Sequence, residues 1–148
     1  MKPDASKLLE VIAGKLLFEI APNIQPSYRQ SSVGLTGMLL GMVREEFERA
    51  CARRVEENGA LRALFARAAT NVADTDLRRR IESAAGGTDP SLLVSELEKK
   101  NDALRALLIE LHAHVEEQDA PWARALDAEI WRELVASTER RRFSLSPF

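Results

Sequence analysis

The chain has 148 residues, enough for one domain with a single core, and its 45% hydrophobic, 30% charged and 5% aromatic content is that of a folded protein rather than a disordered one. Its 21 basic side chains against 23 acidic ones leave a net charge of -2, which gives no general attraction to a phosphate backbone and argues against a nucleic-acid partner. The single cysteine, Cys51, rules out an internal disulfide and suits a reducing compartment, so a cytoplasmic location is expected.

Apolar residues recur at spacings of three and four almost throughout, with no sustained strand-like alternation, so the fold class predicted is all-α. Helix one is expected from an Asp4 cap to Ile20, with Leu8, Ile12 and Leu16 on one face. Asp4, Lys7, Glu10, Lys15 and Glu19 interrupt its apolar run at helical intervals, which makes it amphipathic rather than a signal peptide. Helix two should start near Pro26 and run to Asn58-Gly59, whose glycine suits a helix C-terminus. Its least polar run, Val33 to Val43, is about half the ~20 residues a membrane crossing needs, so no membrane partner is expected.

Two shorter helices follow, one through Leu61, Leu64, Phe65 and Val72 and one through Leu77 and Ile81, divided by a cap at Asp74 or Thr75. Thr88-Asp89-Pro90 reads as the start of another long helix, ending near Glu117 or Gln118. Val94, Leu97, Asn101, Leu104, Leu108, Leu111 and Val115 form its packing seam, widened by Leu93 and Leu107. A last helix begins at Asp119-Ala120-Pro121 and passes through Trp122, Leu126, Ile130 and Leu134 to the arginines at 140 to 142, which complement its dipole. Short connections fold neighbours antiparallel, so the prediction is a helical bundle of five or six helices built from two antiparallel hairpins, with two helices unusually long. One domain spans residues 1–148, with a loose tail over 142–148.

Few side chains stand where chemistry needs them. Ser31, Gly34, Gly37 and Gly41 make a stripe on helix two nearly free of side chains, which invites close helix packing, an interface with another molecule, or an apolar ligand. Glu46, set among Leu39, Met42, Val43, Phe47 and Ala50, projects toward a core and requires a partner; Glu19 is a weaker case of the same kind. Of the two histidines, His114 lies on the widened edge of the seam and His112 on the exposed flank with Glu98 and Arg105.

A metal site between helices would draw on Glu46, His114, Glu117 and Glu133, but the spacing Glu110-x-x-x-His114 is not the Glu-x-x-His of ferritin-like bundles. HEXXH and CxxC patterns are absent too, so neither a metal nor any other cofactor is favoured. No nucleophile motif or phosphate loop is present, and Cys51 beside Arg53 and Arg54 reads as structural. Asn101, the polar member of the seam, reads as a register or interface device.

The run Pro3 to Pro22, PDASKLLEVIAGKLLFEIAP, followed by Met42-Val43-Arg44-Glu45, resembles the start of a family of small uncharacterised bacterial helical proteins. Members are often encoded near phosphotransferase-like and acyl-CoA dehydrogenase genes. The points of match are Ala5, Leu8, Leu9, Ile12, Leu16, Pro22, Leu39, Arg44 and Glu45, and the chain departs at Val33 and Gly37, where the family carries an arginine and an asparagine. The resemblance implies a bacterial, all-helical, cytoplasmic protein and no particular reaction.

Together these features point to a non-enzymatic helical-bundle protein that self-associates or binds a protein partner, with Asn101, Gly34, Gly37 and Gly41 at its contacts. The alternative is a bundle that holds a metal or a small apolar or acyl ligand between its helices.

Overall fold

The structure, a computed structural model, describes residues 4–144. They form an all-α helical bundle whose helices are α1 (Ala5–Gly14), α2 (Ser27–Ala68), α3 (Thr75–Ala85), α4 (Val94–Glu116) and α5 (Pro121–Arg141). The chain divides into two compact units, Met1–Ala50 with Arg142–Phe148 and Cys51–Arg141, and α2 contributes to both.

The first unit is a helical hairpin. Asp4 caps α1 by accepting from Lys7 N at 3.1 Å, and the helix runs on in π form over Lys15–Ile20 and as a 3-10 turn over Ala21–Asn23. α2 returns antiparallel: its Gly37 lies against Leu17 and the Ala13 carbonyl, and Arg44 further along pairs with Glu10 at 3.7 Å. The expected inward face of α1 is not the buried one. Leu8 and Ile12 are exposed, and the buried residue of this helix is Ala13, because the close contact is made through small side chains.

Gly37 and Gly34 differ in what surrounds them. A Cβ on Gly37 would stand 2.7 Å from Leu17 Cγ and 3.3 Å from the Ala13 oxygen, whereas one on Gly34 meets nothing within 4 Å. Gly34→Ala is therefore expected to raise stability by up to about 1 kcal/mol through helix propensity, and Gly37→Ala to lower it by forcing the two helices apart. Urea denaturation of both variants checks the pair, and equal effects would contradict the packing described. At the start of the tail, Ser144 donates its N–H and hydroxyl to Glu45, with N to Oε2 at 2.9 Å. Residues 145–148 of the expected loose tail lie outside the described residues.

The second unit is an up-down-up-down arrangement of the last part of α2 with α3, α4 and α5. Arg54 with Glu98 and Glu57 with Asn101 show α2 and α4 running parallel. Arg80 with Glu110 and His112 with Asp127 set α3 and α5 antiparallel to α4. Phe65, Ile81, Leu111 and Ile130, one from each helix, are fully enclosed at its centre. The seam of α4 packs as the spacing predicts from Leu97 to Val115, while Val94 and Leu93 at its start are exposed.

Two boundaries differ from the sequence reading. α2 passes straight through Asn58-Gly59 instead of stopping there. A mid-helix glycine costs about 1 kcal/mol, but Leu61, Leu64 and Phe65 just beyond it are buried, each worth about 1.5–3 kcal/mol, so packing decides. α4 starts at Val94 rather than at Thr88-Asp89-Pro90, because the Asp89 carboxylate is held by Arg62 through two hydrogen bonds at 2.7 Å and does not cap a helix. Asp74 caps α3 as expected, accepting from Asp76 N and Leu77 N at 2.9 Å.

Candidate functional site

At the centre of the second unit lies a buried polar network. Glu57 on α2, with 2% of its side chain exposed, accepts from Arg141 Nε at 2.8 Å and Arg141 Nη2 at 2.7 Å, from Ser137 Oγ at 3.0 Å and from Asn101 Nδ2 at 3.2 Å. Asn101 also donates to Asn58 Oδ1 and accepts from Arg141 Nη2, both at 3.0 Å. Asn58 passes the chain on to Asp89 and Arg62, and Arg105 donates to Ser137 at 3.2 Å.

Burial pushes the Glu57 pKa up. The Arg141 and Ser137 hydrogen bonds and the charges of Arg141 and Arg105 outweigh it and hold the carboxyl below the usual glutamate range. The ionised carboxylate is thereby saturated with donors from α4 and α5. Asn101 is wholly buried, and its amide hydrogen-bonds to α2 and α5 of its own chain.

Sequence reasoning found only Asn101 in this network. Asn58 reads as a helix end, Asp89 as a cap and Arg141 as a dipole complement, and Glu57, Arg62 and Ser137 are not singled out. The signal was present, since Glu57 lies four before Leu61 and seven before Leu64, and Ser137 seven after Ile130.

The metal candidates named from sequence stand in different surroundings. Glu46 is half-buried on α2 in the first unit. Glu133 is gripped by Arg140, with both Nη atoms at 2.9 Å from its Oε1. His114 and Glu117 line a common opening of about 340 Å³ with Asp74, Glu110 and Arg80, but His114 Nε2 is turned inward, buried and without a hydrogen-bond partner among the described residues. His112 is not on an exposed flank: its side chain is 17% exposed, Nε2 lies 2.8 Å from Asp127 Oδ1, and Trp131 meets the ring edge-on at 5.5 Å. α5, which covers this flank, was invisible to the register of α4 taken alone.

The first unit presents something different. Tyr28, Leu35, Leu39, Val43 and Phe47 follow one another along α2 at steps of seven and four, and all are exposed, Phe47 by 61%. Leu8, Val11 and Ile12 do the same on α1, and Phe18 beyond them is 79% exposed. Of the stripe of small residues, Gly37 is filled by Leu17, which leaves Gly34 and Gly41 half-buried. Of the residues matched in the family resemblance, Arg44 pairs with Glu10 and Glu45 takes Ser144 and Arg49, while Leu8, Ile12 and Leu39 are exposed. No helix among the described residues is long and apolar enough to cross a membrane. Comparison of the chain with protein-family models, with curated proteins and with solved structures finds no match in any of the three.

Proposed function

We propose that this is a non-enzymatic helical interaction protein that pairs with a second copy of itself through the α1–α2 hairpin of its first unit. The observation that carries the reading is the exposed apolar face of that hairpin. Its fully buried residues are Ala13, Ala21, Gly37 and Ala50, all small, while Leu8, Val11, Ile12, Phe18, Leu35, Leu39, Val43 and Phe47 are exposed and Leu9, Leu16, Leu17 and Leu40 only half-buried. A contiguous apolar surface of this kind marks an interface, and burying it returns about 25 cal/mol per Å².

A second hairpin offers the matching stripe by symmetry and completes a four-helix arrangement. Residues 1–50 carry six basic and six acidic side chains, so two copies meet without net repulsion, and a strongly charged partner finds no counter-charge. Saturation of Glu57 supports the non-enzymatic part of the reading. The lone Cys51 and the family resemblance support the bacterial cytoplasm as its place. The test is exchange between copies: an affinity-tagged chain mixed with untagged chain is expected to retain untagged copies on the resin, and retention of none would sink the reading.

A further inference from the structure

Carboxylates that reach between helices of the second unit, or lie half-buried in it, meet arginine: Asp89 meets Arg62, Glu110 meets Arg80, Glu129 meets Arg67 and Glu133 meets Arg140. Glu116 and Asp127 break this pattern. Their partner is the His112 imidazole, with Nε2 at 2.8 Å from Asp127 and 3.7 Å from Glu116. Arg124, nearby, is held instead by Asp119 at 2.7 Å. One ligand atom from each of His112, Glu116 and Asp127 lies within 4.8 Å of the others.

We propose that His112, Glu116 and Asp127 form a site for a divalent cation of the zinc class. His112 and Glu116, four apart on α4, share one helix face, and Asp127 on α5 closes the set from across the hairpin. Ligand atoms around tetrahedral zinc stand about 3.3 Å apart, so the 2.8 and 3.7 Å from Nε2, with all three ligand atoms within 4.8 Å of one another, call for side-chain rotation to converge. An opening of about 350 Å³ adjoins the two carboxylates, lined also by Gln118 and Trp131, and leaves room for water in a fourth position.

Trp131 packs perpendicular to the imidazole, with ring centroids 5.5 Å apart, and limits how far the ring can turn. One imidazole nitrogen favours zinc, cobalt or nickel over magnesium and calcium, which prefer all-oxygen ligands. Binding needs the Nε2 lone pair, so the proton that Nε2 donates to Asp127 shifts to Nδ1, or is released to solvent where Nδ1 already carries one, and the hydrogen bond is replaced by one bond from each residue to the metal.

The experiment is calorimetric titration of untagged, chelator-treated full-length protein with zinc chloride. One equivalent is expected to bind. His112→Ala should weaken it by about tenfold or more, the scale seen even for losses outside the ligand set. Glu116 is 63% exposed, so Glu116→Gln keeps the fold and should weaken binding as well. His114→Ala should leave it unchanged, and magnesium should not compete. Cobalt in place of zinc should quench Trp131 fluorescence, with the quenching lost in Trp131→Phe. No binding, binding indifferent to His112→Ala and Glu116→Gln, loss in His114→Ala, displacement by magnesium, or quenching that survives Trp131→Phe would each overturn the proposal.

Discussion

Arg141→Leu is expected to destabilise the protein by about 3 kcal/mol, a fall in Tm of roughly 6–12 °C, and to invert its response to mild acid. Arg141 is 42% exposed and solvent already screens the pair, which sets the figure at the low end for breaking a buried ion pair. The loss comes from the partner left behind: Glu57 stays buried with only Ser137 and Asn101 as donors. Glu57→Gln strands no charge, since Arg141 can turn to water, and is expected to cost less, about 1–2 kcal/mol.

The pH dependence separates the two cases. In the native protein the Glu57 pKa is lowered, so its contribution is present above the unfolded value, about 4.3, and lost as pH falls through the folded one. In Arg141→Leu burial acts without the guanidinium and raises that pKa, so stability should rise as pH falls from neutral toward 5. Urea denaturation of both variants at pH 7 and pH 5 reads this directly. Equal losses, or a variant weakened further by mild acid, would contradict the network as described.

The second large effect concerns association. Leu39 and Val43 are 51% and 52% exposed on α2, so replacing both with glutamate removes nothing from the interior and should leave folding intact. If two copies bury these side chains against each other, each substitution forfeits about 1.5–3 kcal/mol of burial and introduces a charge among apolar groups. The Kd should therefore rise on the order of a hundredfold or more, at about 1.4 kcal/mol per factor of ten. Sedimentation velocity over a dilution series measures it. An unchanged Kd in the double variant would place any association elsewhere on the molecule.

The helices were legible because periodicity and caps are local. Asp4, Asp74 and Pro121 begin helices where their chemistry says they should, and the Leu97 to Val115 seam packs as its spacing predicts. What failed depended on neighbours distant in sequence. Gly59 reads as a stop until Leu61, Leu64 and Phe65 are seen to be enclosed by three other helices, and Asp89 reads as a cap until Arg62, on a different helix, claims it.

The same holds for the two histidines, whose surroundings depend on which helix covers α4 on each side: α5 brings Asp127 to His112, and His114 turns inward near α3. On α1 the apolar stripe was read correctly as amphipathic but assigned to the interior. Periodicity identifies an apolar face without saying what covers it, and within this hairpin the close contact is made by Leu17 and the Ala13 backbone against Gly37, with Leu8 and Ile12 left exposed.

The most direct test of the proposed self-association is the molar mass of the untagged full-length protein in solution, by light scattering or sedimentation equilibrium across a wide concentration range. Twice the 16.5 kDa of one chain is expected, returning to the single-chain mass in the Leu39→Glu, Val43→Glu variant. A mass of one chain at every concentration would contradict self-association.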